Sequence, residues 1–535
     1  MSDTVVATAR ERIDSIAKFL ERSHGTVRII ETHISWVLLT DDKAFKFRKP
    51  VSLPFVDFSS LAARRHDCAE ELRLNRRLAS ALYLGLTEMT RGPNGLELDG
   101  PGEVLDVAVC MKRFPDEVLW SDLIRSNTLT TDHVTKLASS VSQFHDNAPA
   151  AAPGSEFGDF AAIDKVTRDL VRNIEALDLY CAPQGVGAIW PAVRDWLLNS
   201  LQTQQALFRK RQEQGRVREG HGDLHLRNVV LFQDVPTPFD ALEFDPALRW
   251  IDVISDVAFM MMDLMAHRRF DLAFRFINTY FEDSGDYQGL AVLRFYLVSR
   301  ALVRFQVMML AGRQGVADPD AVGAADYLRL AASVIDDTNP RLAIMYGLPG
   351  TGKTTVSSRF IEATGAIRVR SDVERKRLFG LKGSDSTARQ GKPSVYVAAT
   401  TERTYARLLE VARTAVHEGF PVVVDAAFLL RKQRAPFARF ALDAGVAFST
   451  LACEAPLDIL RDRIVKRLRR GDDASEADVE VLEKLRFVAE PPGADEPGLT
   501  LPIDSTDPEQ IEAAIRSWAT AKPLGATQSL NRAER

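Results

Sequence analysis

Apolar and polar positions along the chain change their period more than once, and each change marks an element. Between residues 29 and 47 the pattern alternates, with Trp36-Val-Leu-Leu39 and Ala44-Phe-Lys-Phe47 on either side of Asp41-Asp42, which predicts an antiparallel hairpin. After Pro50 and Pro54, Ser59 or Ser60 can cap a long helix whose apolar positions Leu61, Cys68, Leu72, Leu78 and Leu82 recur at helical spacing. Two further strands are expected around 96–98 and 104–111. From 123 to 218 the pattern is mostly amphipathic helix, interrupted by Ala-, Pro- and Gly-rich stretches at 148–158 and 183–187. A strand pair at 229–232 and 238–244 follows. The apolar run 257–265 is broken by Asp263, flanked by Asp256 and His267, and too short to span a bilayer, so it reads as a buried helix.

Gly312, Gly315, Pro319 and the Asp336-Asp-Thr-Asn-Pro340 run bracket a short helix, which puts a domain boundary at 336/337 with that helix on the first side. Beyond it, strands at 342–346, 366–370, 421–424, 447–453 and 499–503 alternate with helices, the signature of a doubly wound parallel sheet. The expected organisation is an α+β domain over 1–336, an α/β domain over 337–521 and a disordered polar tail over 522–535.

A length of 535 residues independently calls for more than one domain. A formal net charge of −5 argues against a nucleic-acid footprint spread over the surface, so small molecules are the expected partners; for the second half a nucleotide or polynucleotide end stays open. Cys68, Cys110, Cys181 and Cys453 are scattered without C-x-x-C spacing, which disfavours a disulfide framework and a zinc site and fits a reducing cytoplasm. Residues 1–23 mix Arg10, Glu11, Arg12, Asp14 and Lys18 with apolar residues at helical spacing, giving a surface helix rather than a signal peptide.

Gly347-Leu348-Pro349-Gly350-Thr351-Gly352-Lys353-Thr354-Thr355 lies between an expected strand and an expected helix start, the setting of a phosphate-binding P-loop. Gly347, Gly350 and Gly352 let successive backbone N–H groups turn toward phosphate oxygens, and the helix N-terminus adds partial positive charge. Lys353 then reaches the β- and γ-phosphates, and Thr354 ligates Mg²⁺. The strand 421–424 runs into Asp425, where a carboxylate contacts that metal directly or through water. Ala426 follows instead of the Glu that would polarise a hydrolytic water, which favours transfer to a hydroxyl. Asp372, after the second strand, is the candidate base for that hydroxyl. Arg463 and Arg467 sit one helical turn apart and either close over the transferring phosphate or form a solvated basic face. Arg434 is either a further substrate contact or an exposed helix charge.

In the first half, His221-Gly-Asp-Leu-His-Leu-Arg-Asn228 sets an Asp five residues before an Asn, ahead of a hairpin that ends in acids. Asp223 can accept the proton of an attacking hydroxyl while Asn228 binds Mg²⁺, with an acid beyond the hairpin as the other ligand. Three acids, Asp240, Glu243 and Asp245, compete for that role; strand alternation separates Asp240 from Glu243, with Asp240 favoured and Glu243 next. Asp252 and Asp256 can instead steady the loop by accepting N–H bonds, and Asp263 can cap or face water.

These residues, with Lys46 in Ala44-Phe-Lys-Phe47, Glu71 in Glu70-Glu-Leu-Arg-Leu-Asn75, the hinge-like Val109-Cys-Met111-Lys112 and Phe144-His145, resemble the aminoglycoside phosphotransferase and choline kinase-like superfamily. The resemblance implies a two-lobed, protein-kinase-like fold, Lys46 on the ATP phosphates, Glu71 as its ion-pair partner, Met111 at the nucleotide hinge and Asp223 as base. The family's usual Ile-Asp-(Trp/Phe) metal motif is replaced here by the three acids. The second half is similar to P-loop small-molecule kinases of the zeta-toxin and polynucleotide-kinase group, and the order of motifs resembles bacterial fusions of the two. The resemblance implies a bifunctional phosphotransferase using Mg²⁺ with ATP, or GTP as the alternative, on small-molecule hydroxyl acceptors. The competing expectation is a regulatory ATP-binding protein, with a silent kinase-like half and a P-loop switch.

Overall fold

The computed structural model describes residues 3–53, 56–93, 95–177, 186–313, 322–383, 385, 398–470 and 474–523. Cys181, Gly315, Pro319 and all but the first two residues of the expected tail lie outside them. Packing divides the chain into one unit of Met1–Asp178, Leu198–Asp263 and Gln306–Gly323, and a second of Leu179–Leu197, Leu264–Phe305 and Ala324–Arg535. Among the described residues no helix is long and apolar enough to cross a membrane.

In the first unit the strands Arg28–Glu31, Ser35–Leu39, Lys43–Arg48, Glu103–Lys112, Tyr83–Gly92 and Gly95–Leu98 lie in that order in a six-stranded antiparallel sheet. The expected hairpin is there, with Leu39 opposite Ala44. Alternation then sorts the strand Glu103–Lys112 by face. Ala108 and Cys110 join a core with Trp36, Phe47 and the buried Ile13, Ile16 and Leu20 of the helix Asp3–His24, while Val107 and Val109 face Cys68, Leu82 and Val230. The helix Leu61–Ala79 is capped by Ser60, whose hydroxyl accepts the N–H of Ala63 at 3.1 Å. Leu82 lies beyond that helix. The strand Tyr83–Gly92 that follows was not expected, because its residues lack clean alternation and it meets its neighbour through a bulge at Tyr83/Gly85.

The helical part of this unit holds the 221–228 loop by its backbone. Asp256 and Asp263 stand two turns apart on the helix Val253–Ala266 and so share a face. Asp256 accepts the N–H groups of His221 at 2.6 Å and Gly222 at 2.8 Å, and Asp263 accepts that of Leu226 at 3.0 Å. Asp263 is therefore a buried loop anchor, not a water-facing cap. Asp252 plays no part in this loop and pairs with Arg211 at 2.5 and 2.8 Å. Next comes a tight hairpin, Val229–Phe232 with Val235–Pro238, turning on Gln233 and Asp234 at φ of 52° and 62°. The second strand stops at Pro238, so 239–244 is irregular rather than extended as expected. A sheet with one long helix, joined to a helical part that carries the loop, is the two-lobed kinase-like arrangement.

The second unit is a five-stranded, wholly parallel sheet in the order Ile367–Arg370, Val422–Asp425, Arg341–Tyr346, Ala447–Glu454, Leu499–Asp504. Each strand matches one expected from the sequence, and the strand leading into 347–355 is central. The helix Phe270–Ser284 packs here, although a break at 336/337 would assign it to the first domain. The reason is the open edge of Ile367–Arg370. Asn278 donates to the carbonyl of Ala366 at 2.9 Å and accepts the N–H of Arg368 at 2.6 Å, and Tyr287 donates to the carbonyl of Arg368 at 3.2 Å. An edge that would otherwise pair with another chain is thereby capped by side chains. The helix Ala324–Asp336 also belongs to this unit by packing.

The Asp256 clamp has a pH signature. Burial alone would raise its carboxyl, but the hydrogen bond and charge of His145, with those of His221, outweigh burial and hold it at about 2. A folded pKa below the unfolded value of about 3.9 means stabilisation that is full above about pH 5 and lost as pH falls through 2, worth about 2–3 kcal/mol. Asp256→Asn is expected to lower unfolding free energy by about that amount at neutral pH, with the gap to wild type narrowing below about pH 5 in denaturant titrations. A gap independent of pH would contradict the clamp.

Candidate active sites

In the first unit, Lys46 and Arg48 occupy alternate positions of one strand and therefore point the same way, toward Glu71 of the long helix. Lys46 Nζ lies 3.0 Å from Glu71 Oε1 and 2.6 Å from Asp240 Oδ1. Arg48 lies 2.6 Å from Glu71 Oε2 and also pairs with Asp67 and Glu243. The three competing acids thus part company. The Asp240 side chain remains 41% exposed, whereas that of Glu243 is 7% exposed and turned to Arg48. Asp245 caps the helix Pro246–Arg249 through the N–H of Ala247 at 2.9 Å.

The electrostatics follow the geometry. Burial would raise the Asp240 carboxyl, but Lys46 outweighs it and the net shift is downward. At Glu243 burial wins over Arg48 and Lys46 and pushes the carboxyl up to about 7. What frees Asp240 from strand alternation is its own backbone, at φ 60°. Its N–H is held by the Tyr83 hydroxyl at 3.2 Å, and the next N–H, of Ala241, by Asn75 Oδ1 at 2.9 Å.

Asp223 and Asn228 meet across the loop. The Asn228 amide nitrogen donates to the Asp223 carboxylate at 2.8 Å and to its carbonyl at 2.9 Å. The Asp223 side chain stays 37% exposed, with His225 Nε2 3.3 Å from its carboxylate. Met111, next to last in the strand Glu103–Lys112, lies opposite Ala44. Sequence reasoning missed Arg48, Asp67, Asn75 and Tyr83. Arg48 was within reach of the pattern, two positions from Lys46 on the same face, as was Asp67, one helical turn before Glu71.

In the second unit Gly347, Gly350 and Gly352 take φ of 153°, 85° and 82°. A Cβ at Gly350 would come within 2.7 Å of the carbonyl of Leu460, so the loop needs glycine for space as well as for φ. Leu348 packs against the buried Leu460, Ile464 and Leu482, and Thr351 donates to the carbonyl of Leu348 at 2.8 Å. Lys353 Nζ donates to the carbonyls of Gly347 at 2.8 Å and Leu348 at 2.9 Å. Burial depresses its pKa. Asp425 accepts from Ser357 Oγ at 3.1 Å, a partner not foreseen.

A cavity of about 840 Å³ brings Lys353 and Thr354 together with Asp372, Asp425, Arg463 and Arg467; Gly350, Gly352 and Thr355 also border it. Arg463 donates to Ser505 Oγ at 2.9 Å and to the carbonyl of Gly350 at 3.3 Å, and Arg467 to the carbonyl of Ala477 at 2.6 Å. The two arginines therefore stand at the cavity rather than on a solvated face. Arg434 is neither a cavity residue nor exposed. It is 1% exposed and locked to Glu496 at 2.7 and 2.5 Å and to the carbonyls of Phe428 and Glu490, both at 2.9 Å.

A family model described as an AAA domain matches residues 342–492. Among solved structures, a choline/ethanolamine kinase family protein from Mesorhizobium loti is similar at 11% identity, over 61% of this chain and 94% of that one, with a TM-score of 0.36. A putative kinase from Chloroflexus aurantiacus is similar at 24% identity, over 34% of this chain and 93% of that one, with a TM-score of 0.27. The uncharacterized protein Rv2004c of Mycobacterium tuberculosis is 30% identical over 454 residues, which are 84% of this chain and 88% of that protein. The chain thus belongs to the same family as this mycobacterial protein, and carries the P-loop domain of the AAA type in its second half.

Proposed function

We propose that the protein is an ATP-dependent phosphotransferase with two sites, each passing a γ-phosphoryl group to the hydroxyl of a small molecule, and that it works in the cytoplasm. The strongest support is the convergence of Lys353, Asp372, Asp425, Arg463 and Arg467 on one cavity. Lys353 is a half-buried cation resting on two backbone carbonyls, an arrangement that an anionic phosphate relieves. Asp372 takes the acceptor's proton as its oxygen bonds to the γ-phosphorus; the bond to the β–γ bridging oxygen breaks and ADP leaves. Arg463 and Arg467 offset the charge spread over the phosphoryl oxygens. Ala426, 2% exposed behind Asp425, offers no carboxylate to activate water, which favours transfer over hydrolysis.

In the first unit Lys46 binds phosphate, oriented by Glu71, with Met111 at the nucleotide hinge and Asp223 as base. Among the described residues no group of three or more His, Cys, Asp or Glu is arranged to enclose a metal. That suits Mg²⁺, which keeps its waters and takes one or two protein oxygens besides the phosphates. Asp240 and Asn228 would hold it in the first unit, Thr354 and Asp425 in the second, and it supplies charge neutralisation at the phosphates. The Lys46–Glu71 pair and the Asp223–Asn228 contact are both formed, which supports a working first site over a silent one.

Lys353→Ala is expected to abolish nucleotide binding at the P-loop and to leave the nucleotide affinity of the first unit unchanged, as read by calorimetry on the full chain. Unchanged binding at both sites would contradict the P-loop assignment. Asp223→Asn is expected to lose roughly 10²- to 10⁴-fold in turnover at the first site with nucleotide affinity intact, because only the proton acceptor is removed. Asn228→Ala is expected to weaken Mg²⁺-ATP binding as well. Both effects are measured with an acceptor drawn from a panel of sugars, amino alcohols, aminoglycosides and nucleosides, and normal turnover by Asp223→Asn would remove Asp223 from the role of base.

A further inference from the structure

Beside the P-loop cavity lies a second one, of about 500 Å³, between the helices Ala398–His417 and Arg431–Asp443. Its wall is mainly apolar: Tyr405, Ala406 and Leu409 from the first helix, and Leu430, Pro436 and Phe437 from the second helix and its entry. The two cavities share Thr401, Tyr405, Leu430 and Gln433, so the apolar one adjoins the one that holds Asp372 along that border.

The shared wall is firmly built. The Tyr405 hydroxyl accepts the N–H of Phe428 at 3.1 Å, and its ring meets Phe428 edge-on at 5.0 Å; Phe428 in turn meets Phe437 edge-on at 4.9 Å. Phe428 sits at φ 45°, a left-handed backbone that a bulky side chain rarely takes, and Arg434 fixes its carbonyl at 2.9 Å. This strained turn begins three residues after Asp425, and the carbonyl of Ala427 accepts the N–H of Gly347 at 3.2 Å. P-loop, metal-side acid and partition are thus one connected piece. Burial, with a smaller contribution from the charge of Asp372, outweighs the Phe428 N–H and Arg375 and pushes the Tyr405 phenol up to about 12.

We propose that the acceptor of the P-loop site is an amphiphilic alcohol, whose hydroxyl lies at Asp372 and whose apolar group extends past Tyr405 into the second cavity. The assignment rests on the phosphotransferase reading of that site and adds the substrate class. A cavity of this size is in the range of small-ligand sites and holds an aryl or short alkyl group with room to spare. Its border with the phosphate site favours the acceptor's own apolar part as occupant over a protein partner, which would have no reason to meet Asp372. Gln433, whose side-chain oxygen accepts the N–H of Leu430 at 3.1 Å, presents its amide at the border, where a polar linker would pass.

The test uses the full chain saturated with Mg²⁺ and β,γ-imido-ATP, with glycerol, 3-butoxypropane-1,2-diol and 3-phenoxypropane-1,2-diol titrated as probes and read by ligand-observed NMR. Affinity is expected to rise along the series, at least about tenfold from glycerol to the phenyl ether, the gain expected for burying an aryl ring. Leu409→Trp, which fills the second cavity without touching the first, is expected to remove that gain and leave β,γ-imido-ATP affinity unchanged; Ala406→Trp, on the rim, answers the same question if Leu409→Trp does not fold. Equal affinities for the three diols, or a gain that survives both substitutions, overturns the proposal, the second outcome pointing to an apolar contact elsewhere. Failure of the wild-type chain to bind β,γ-imido-ATP at the P-loop would overturn the phosphotransferase reading itself, and is seen separately in the nucleotide titration.

Discussion

Both oxygens of Glu71 are taken, one by Lys46 and one by Arg48, and its side chain is out of water. A carboxylate in that position without partners would cost several kcal/mol, so the two cations are held as firmly as the acid is. Much else in the first unit hangs on this pair of contacts. Arg48 draws in Asp67 and Glu243, and Lys46 draws in Asp240 from far along the chain. A strand, a helix and the irregular segment after the hairpin are thereby fixed to one another. Of the acids in that segment, Glu243 is consumed as a counter-ion while Asp240 keeps a face toward solvent.

The second unit meets a related difficulty, charge with little access to water, by other means. Its cation rests on backbone carbonyls, its glycines give space and left-handed φ, and its acid is steadied by a serine one turn beyond Thr354. In both units the exposed groups nearest the chemistry are held from behind by buried ones. Asp223 is set by a loop whose N–H groups end on Asp256 and Asp263, and the turn after Asp425 is set by Tyr405 and Arg434.

What was legible in the sequence was what is local. The P-loop needs glycines at fixed offsets between a strand and a helix, and the parallel strands are short apolar runs, so both could be seen without knowing any partner. Lys46, Glu71 and the 221–228 loop were legible through spacing and family resemblance. What escaped depends on contacts between distant segments. Strand Tyr83–Gly92 exists because Glu103–Lys112 pairs with it, not because its own residues alternate. The helix Phe270–Ser284 joins the P-loop sheet because Asn278 completes an open edge some ninety residues away, where linker composition alone suggested a break at 336/337. Helical periodicity makes Arg434 a surface or substrate charge, because it does not show that Glu496 comes to meet it. Alternation puts Asp240 and Glu243 on opposite faces of a strand, but the strand ends at Pro238 and the left-handed backbone of Asp240, not alternation, parts the two acids.

With two nucleotide sites proposed on different folds in one chain, the number of nucleotides bound is the most direct measure. Native mass spectrometry of the full chain with Mg²⁺ and a non-hydrolysable ATP analogue counts them without any knowledge of the acceptors. Two nucleotides per chain at saturation are expected. A count that stays at one, at analogue concentrations far above the dissociation constant of the P-loop site, would contradict a chain with two phosphotransferase sites.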